Sequence, residues 1–126
     1  MLQKIFICLV LGAMVLVLTG CAAVLIGAGA GGTVLWQGGK VVSEENTSIK
    51  QAVSATKAVF KAKKITLKDE VTKVGVVQLR AEDASHKKVA VDVFEINPKS
   101  VRIEIRVGIG EEIAARDLLA QIKRRF

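Results

Sequence analysis

Hydrophobic and polar residues alternate most regularly between residues 101 and 109 of the 126-residue chain. The hydrophobic positions are Val101, Ile103, Ile105, Val107 and Ile109, and the polar positions between them include Arg102, Glu104 and Arg106. A period of two places the two sets on opposite faces of a strand. This segment is therefore predicted to be an antiparallel strand with one buried face and one face in water.

Four other segments have strand patterns that are less regular: residues 34–42, 65–70, 74–81 and 88–96. The first contains Gly38 and Gly39, which weaken a strand, and in the second residues 68–70 are equally compatible with a turn. In the last segment, Phe94 and Ile96 fall on the face opposite the alternating valines. Their position indicates a β-bulge or burial on both faces.

Two segments have the hydrophobic spacing of an amphipathic helix. The first, residues 48–62, begins with Ser48 and Gln51 at capping-box spacing and carries lysines near its end, where the helix dipole favours them. The second begins with Glu111 and Glu112, whose negative charge suits the start of a helix. Its hydrophobic side consists of Ala115, Leu118, Leu119, Ile122 and Phe126.

These elements give the order β-α-β-β-β-α, to which residues 65–70 would add a further strand. An antiparallel sheet with one hydrophobic face needs a covering layer, and two amphipathic helices can supply it. We therefore expect an α+β fold in which an antiparallel sheet of four to five strands carries both helices on one face.

The N-terminal 20 residues carry one charge, Lys4, followed by an apolar run over residues 5–18. This run is shorter than the roughly 20 residues that a membrane-spanning helix needs, and its layout is typical of a secretory signal peptide. It ends in Leu18-Thr19-Gly20-Cys21, which resembles a bacterial lipobox. The motif predicts that residues 1–20 are a signal peptide and that lipidation of Cys21 attaches the protein to a membrane.

Residues 21–33 are uncharged and rich in glycine and alanine. This composition favours a flexible tether between the lipid and a periplasmic domain over residues 34–126. Two alternatives stay open. Gly27 and Gly31 form a GxxxG pair that can pack against a helix, and the apolar residues after Cys21 would prolong an uncleaved membrane helix, although each glycine costs a helix about 1 kcal/mol.

Composition limits the chemistry of the chain. Its 19 basic and 12 acidic residues give a net charge of +7, and loss of Lys4 with the signal peptide would lower this to +6. A basic protein favours anionic partners. Stacking on single-stranded nucleic acid needs several clustered aromatic residues. The aromatic residues of the domain are four and scattered: Trp36, Phe60, Phe94 and Phe126. We therefore expect no nucleic-acid partner.

Candidate catalytic and metal-binding residues are sparse. The two cysteines are Cys8, in the signal peptide, and Cys21, so the domain would have no thiol for nucleophilic, redox or metal chemistry. The single histidine, His86, lies in a polar loop, and the acid pairs Asp69-Glu70 and Glu82-Asp83 are typical of solvated turns. We expect no metal site, no cofactor and no enzymatic activity, with a small hydrolase as a remote alternative.

Basic residues offer one candidate binding site. Arg102 and Arg106 share the polar face of the 101–109 strand, and Lys123, Arg124 and Arg125 end the last helix. The simpler interpretation is a solvated, salt-bridged surface. The functional alternative is a site for anionic envelope material, because guanidinium groups bind carboxylates and phosphates strongly.

The order of these features resembles a family of small bacterial lipoproteins of unknown function. Its most specific parts are Ile105-Arg106-Val107-Gly108 and Gly110-Glu111-Glu112, although the family often has Asp where this chain has Glu111. The resemblance implies an α+β domain in the cell envelope without catalytic residues. By analogy with such lipoproteins, Ala22 implies the periplasmic side of the outer membrane. We expect a non-catalytic binding or structural role, with an envelope protein or an anionic polymer as partner.

Overall fold

A computed structural model describes residues 1–5, 7 and 34–126 of the chain. Contacts divide the chain into two compact units, Met1–Thr33 and Val34–Phe126. In the first unit, residues 2–5 and 7 are helical, and the predicted lipobox, cleavage site and tether lie outside the described residues. Within the described parts of the chain, no helix is both long and apolar enough to cross a membrane.

The second unit consists of six strands and two helices. In chain order they are β1 (Leu35–Gln37), β2 (Lys40–Glu45), α1 (Ile49–Ala62), β3 (Thr66–Lys73), β4 (Val76–Glu82), β5 (Lys88–Asn97), β6 (Ser100–Val107) and α2 (Glu112–Lys123). The predicted α+β class and the antiparallel sheet are confirmed.

The strand count exceeds the expected four to five because residues 34–42 belong to two strands rather than one. Gly38 and Gly39 have φ angles of +62° and +79°, and this left-handed backbone turns the chain into a hairpin. Residues 65–70 lie largely in β3, not in a turn. The order β-α-β-β-β-α is corrected to β-β-α-β-β-β-β-α, and the helical residues near the N-terminus add a third helix to the two expected.

The strands form one sheet in the order β1-β2-β6-β5-β4-β3, so β1 and β3 are its edges. Alternate residues of β5 and β6 are fully or almost fully buried, as the period-two pattern predicted. Both helices contact this face of the sheet and each other. The hydrophobic core therefore lies between the helices and one face of the sheet, and the other face, which we call the open face, carries the intervening residues.

Helix α1 begins where its capping residues predicted. Ser48 is the N-cap, and its Oγ accepts a hydrogen bond from the Gln51 backbone N–H at 3.1 Å. The Gln51 side chain does not complete the reciprocal half of a capping box, because its Oε1 accepts a hydrogen bond from Thr47 Oγ1 at 3.0 Å. Further along the helix, Val59 and Phe60 are buried in the core.

Two β-bulges shape the sheet. The register of β5 and β6 shifts between Glu95 and Asn97, which confirms the bulge that Ile96 indicated. A second shift, between Leu67 and Asp69, lies in the edge strand β3. Bulges and charged residues on an edge strand both hinder pairing with another chain.

Candidate functional site

The open face of the sheet has a carboxylate at its centre. Glu104 lies on β6 and is only 9% exposed, although α1 and α2 pack against the opposite face of the sheet. Its Oε1 forms an ion pair with Lys40 Nζ, and its Oε2 lies 3.6 Å from Arg102 Nη2. Two cations from neighbouring positions therefore cover the carboxylate and neutralise it.

A second ion pair lies next to this group. Asp92 of β5 stands directly opposite Glu104 in the β5–β6 register, an arrangement that is unfavourable when both side chains are negative. Asp92 Oδ1 is 2.6 Å from Arg80 Nη1 of β4. Across four strands, the two adjacent carboxylates at the centre of the open face are therefore flanked by Arg80 on one side and Lys40 on the other.

The two arginines predicted to bind anions make contacts within the fold. The Arg102 guanidinium carbon lies 4.4 Å from the ring centroid of Phe94, close enough for a cation–π interaction. Arg106 Nη2 donates a hydrogen bond to the Gly38 carbonyl at 2.8 Å and so ties β6 to the β1–β2 turn.

The other predicted anion-binding residues belong to the helix layer. Lys123 Nζ is 3.1 Å from Glu45 Oε1, and Glu45 pairs with the buried Val101, which places it on the helix side of the sheet. Arg124 is the C-cap of α2, and Arg125 lines a groove of about 460 Å³ beside α1. The five basic residues therefore do not form one continuous surface.

The β4–β5 turn contains the residues that a small hydrolase would have used. Asp83 Oδ1 accepts hydrogen bonds from the backbone N–H groups of Ser85 and Lys87, at 2.8 and 2.9 Å. His86 is exposed and has a φ of +64°. Asp83 and Ser85 also line a cleft of about 260 Å³ that reaches α2. The contacts of this carboxylate shape the turn, and they do not orient the imidazole.

The remaining acidic pairs are engaged by lysines. Glu70 of the Asp69-Glu70 pair lies 2.8 Å from Lys57 Nζ of α1, and Glu82 lies 3.7 Å from Lys68 Nζ. Among the residues that the structure describes, no group of three or more His, Cys, Asp or Glu side chains is placed to hold a metal ion.

Two exposed ion pairs shift the pKa values of Lys87 and Asp117. The hydrogen bond that Lys87 Nζ donates to Glu111 at 2.8 Å raises the pKa of Lys87. The hydrogen bond that Asp117 accepts from Lys63 at 2.8 Å, between α2 and α1, lowers the pKa of Asp117. The Lys63–Asp117 pair therefore contributes its full stabilisation of the fold above the ordinary aspartate pKa of about 4. This stabilisation is lost as the pH falls through the lower pKa that Asp117 has in the folded protein. Because the groups are exposed, the stability involved is small.

An apolar corner of the fold was not predicted from the sequence. Ile109 was expected to extend the buried face of β6, but that strand ends at Val107, and Ile109 is fully exposed. Ile113, in the first turn of α2, is also exposed. Trp36 of β1 is half-buried: it packs against the edge of the core and lies beside the Gly110 backbone. We call Trp36, Ile109 and Ile113 the apolar corner. The sequence feature that could have predicted this corner is the glycine on each side of Ile109, because these glycines end the strand before Ile109 is reached.

A comparison with known protein families identifies the family of this chain. A model described as a protein of unknown function, DUF3568, matches residues 4–125. The chain belongs to the DUF3568 family. No curated protein matches the chain at a significant level. The DUF3568 match covers the apolar N-terminal segment as well as the folded unit.

Proposed function

We propose that this member of the DUF3568 family is a lipid-anchored protein of the bacterial envelope with a non-catalytic binding or structural role. Residues 1–20 are removed as a signal peptide, Cys21 carries the lipid, and residues 34–126 form a domain on the periplasmic side of the outer membrane. The single observation that carries this proposal is the cysteine of Leu18-Thr19-Gly20-Cys21 at the end of an apolar run.

The extent of the family match supports the proposal. Because the matched region starts at residue 4, it includes the apolar run and Cys21.

Lipid attachment would hold the domain near the bilayer. Each buried methylene contributes about 0.8 kcal/mol, so the two or more acyl chains of a bacterial lipoprotein anchor stably. Residues 22–33 separate Cys21 from the folded unit. At roughly 3.3–3.6 Å per residue, they limit the distance between the lipid and Val34 to about 45 Å.

The contacts of the charged groups support a non-catalytic role. Glu104, the most buried carboxylate, is covered by Lys40 and Arg102, and Asp92 is bound by Arg80. Catalytic carboxylates usually face a cleft where substrate can reach them. Here both carboxylates instead stabilise an exposed sheet face, which suits a surface for packing or binding.

Replacing Cys21 by serine should abolish acylation and release the protein from the membrane fraction. Serine cannot form the thioether that carries the diacylglyceryl group. Labelled palmitate incorporation and membrane fractionation measure the two effects. Cys8→Ser is the matched control, because it changes the chain's other cysteine within the same apolar segment. Palmitate labelling that survives in the Cys21→Ser variant would refute the proposal.

A further inference from the structure

We propose that the apolar corner, formed by Trp36, Ile109 and Ile113, seats the domain directly on an anionic lipid surface. This inference rests on the proposed function, because it takes the membrane that Cys21 reaches as the occupant of the corner. It adds an orientation: one end of the sheet faces the lipid, and the opposite end faces away.

The turn between β6 and α2 presents its isoleucine in a fixed position. Gly108 and Gly110 have φ angles of +57° and +74°. The Gly108 N–H donates to the Lys88 carbonyl at 2.8 Å, and the Glu111 N–H donates to the Val107 carbonyl at 2.9 Å. These bonds close the turn on both sides of Ile109, so its side chain projects into solvent from an ordered backbone.

The residues of the corner suit the boundary between lipid and water. Two large aliphatic side chains within five residues are fully or almost fully exposed, which is costly in water and favourable at a membrane interface. Tryptophan is the side chain most enriched at such interfaces, since its ring is apolar and its N–H is polar.

The position of the corner agrees with where the chain enters the fold. The anchored segment leads into β1, and Trp36 is the second residue of that strand. The β1–β2 turn and the β6–α2 turn lie at the same end of the sheet, where Gly39 and Gly110 approach each other. Val74, another fully exposed residue, lies at the opposite edge and the opposite end of the sheet.

The charges around the corner favour an anionic surface. The two acidic residues between Ile109 and Ile113 are paired, Glu111 with Lys87 at 2.8 Å and Glu112 with Arg116 at 2.9 Å. Arg106, beside the β1–β2 turn, adds positive charge near the corner, as does Lys88, which stands opposite Glu82 in the β4–β5 register. Basic residues next to an apolar patch are attracted to anionic head groups.

The single tryptophan makes the test direct, because the chain has no tyrosine and its emission reports Trp36 alone. The mature acylated protein, which begins at Cys21, is placed in phosphatidylglycerol-containing vesicles whose acyl chains carry bromine, a quencher of tryptophan. We expect Trp36 emission to shift to the blue and to be quenched. Seated domains are those whose apolar corner contacts the bilayer, and free domains are those whose corner does not. Ile109→Ser combined with Ile113→Ser should lower the ratio of seated to free domains about tenfold, equivalent to about 1.4 kcal/mol. The control Val74→Ser should behave as wild type.

The outcomes separate this inference from the proposed function. Wild-type protein that floats with the vesicles but is not quenched would be anchored without being seated, which overturns the inference alone. An equal loss of quenching in the Val74→Ser variant, or none in the double variant, would also overturn it. Equal quenching in phosphatidylcholine vesicles would contradict the requirement for anionic lipid. Protein that does not float would refute the lipid anchor and, with it, this inference.

Discussion

Replacing Phe60 by alanine is expected to lower the free energy of unfolding by about 3–5 kcal/mol. Phe60 is 2% exposed and is the largest side chain that is fully enclosed in the core between α1 and the sheet. Alanine would leave a cavity that the neighbouring β-branched side chains cannot fill without strain. Urea unfolding followed by circular dichroism measures the loss.

Phe94→Ala is the matched control for this prediction. Phe94 lies on the open face of β5, where it is half-buried and packs against the Arg102 guanidinium. We expect a loss of about 1 kcal/mol, the size of an exposed cation–π interaction with some lost packing. If the two variants lost equal stability, the assignment of the helix side as the core face would be wrong.

Replacing Gly110 by valine should cost about 2–5 kcal/mol, as the sum of two effects. A residue with a Cβ pays roughly 1–2 kcal/mol in the left-handed conformation that Gly110 adopts at φ +74°. A Cβ there would also lie 3.4 Å from the Gly39 Cα and 3.8 Å from the Trp36 ring. The valine methyl groups extend further, and such overpacking adds about 1–3 kcal/mol.

Gly75→Val separates these two effects. Gly75 has nearly the same φ, +75°, but a Cβ built on it meets no atom within 4 Å. It should therefore lose only the conformational part, and the difference between the two variants measures the contact between the β1–β2 and β6–α2 turns. Equal losses in urea unfolding would mean that these turns do not meet.

Much of the fold could be predicted because local signals and burial agree. The alternation in β6, the spacing in α1 and the Ser48 cap each specify one element and one buried face. The position of Ile96 also indicated the bulge that the β5–β6 register contains. In these segments the local pattern and the burial agree on the type of element and on its buried face, although at Ile96 the pattern alone left two interpretations open.

The errors occurred where a glycine decides between two outcomes. Gly38 and Gly39 weaken a strand, but they equally form the tight turn of a hairpin, and only pairing with β6 shows that a second strand follows. Ile109 continues the period of β6, yet glycines on both sides end the strand at Val107. A period-two pattern cannot locate the residue at which the backbone leaves the sheet.

The candidate sites depended on contacts that sequence does not specify. Arg102 and Lys123 carry the same charge and were grouped for that reason, but one stacks on Phe94 and the other pairs with Glu45 on the opposite side of the sheet. Likewise, the near-complete burial of Glu104 depends on Lys40, which is distant in the chain and becomes its neighbour only through the β2–β6 pairing.

The central claim, that Cys21 is the lipid-bearing N-terminus, is tested most directly by the intact mass of the native protein extracted from membranes, with fragmentation of its first residues. The account predicts a chain that begins at Cys21, ends at Phe126 and carries the added mass of a diacylglyceryl group on that cysteine. A chain that retains Met1 and has an unmodified Cys21 would contradict it.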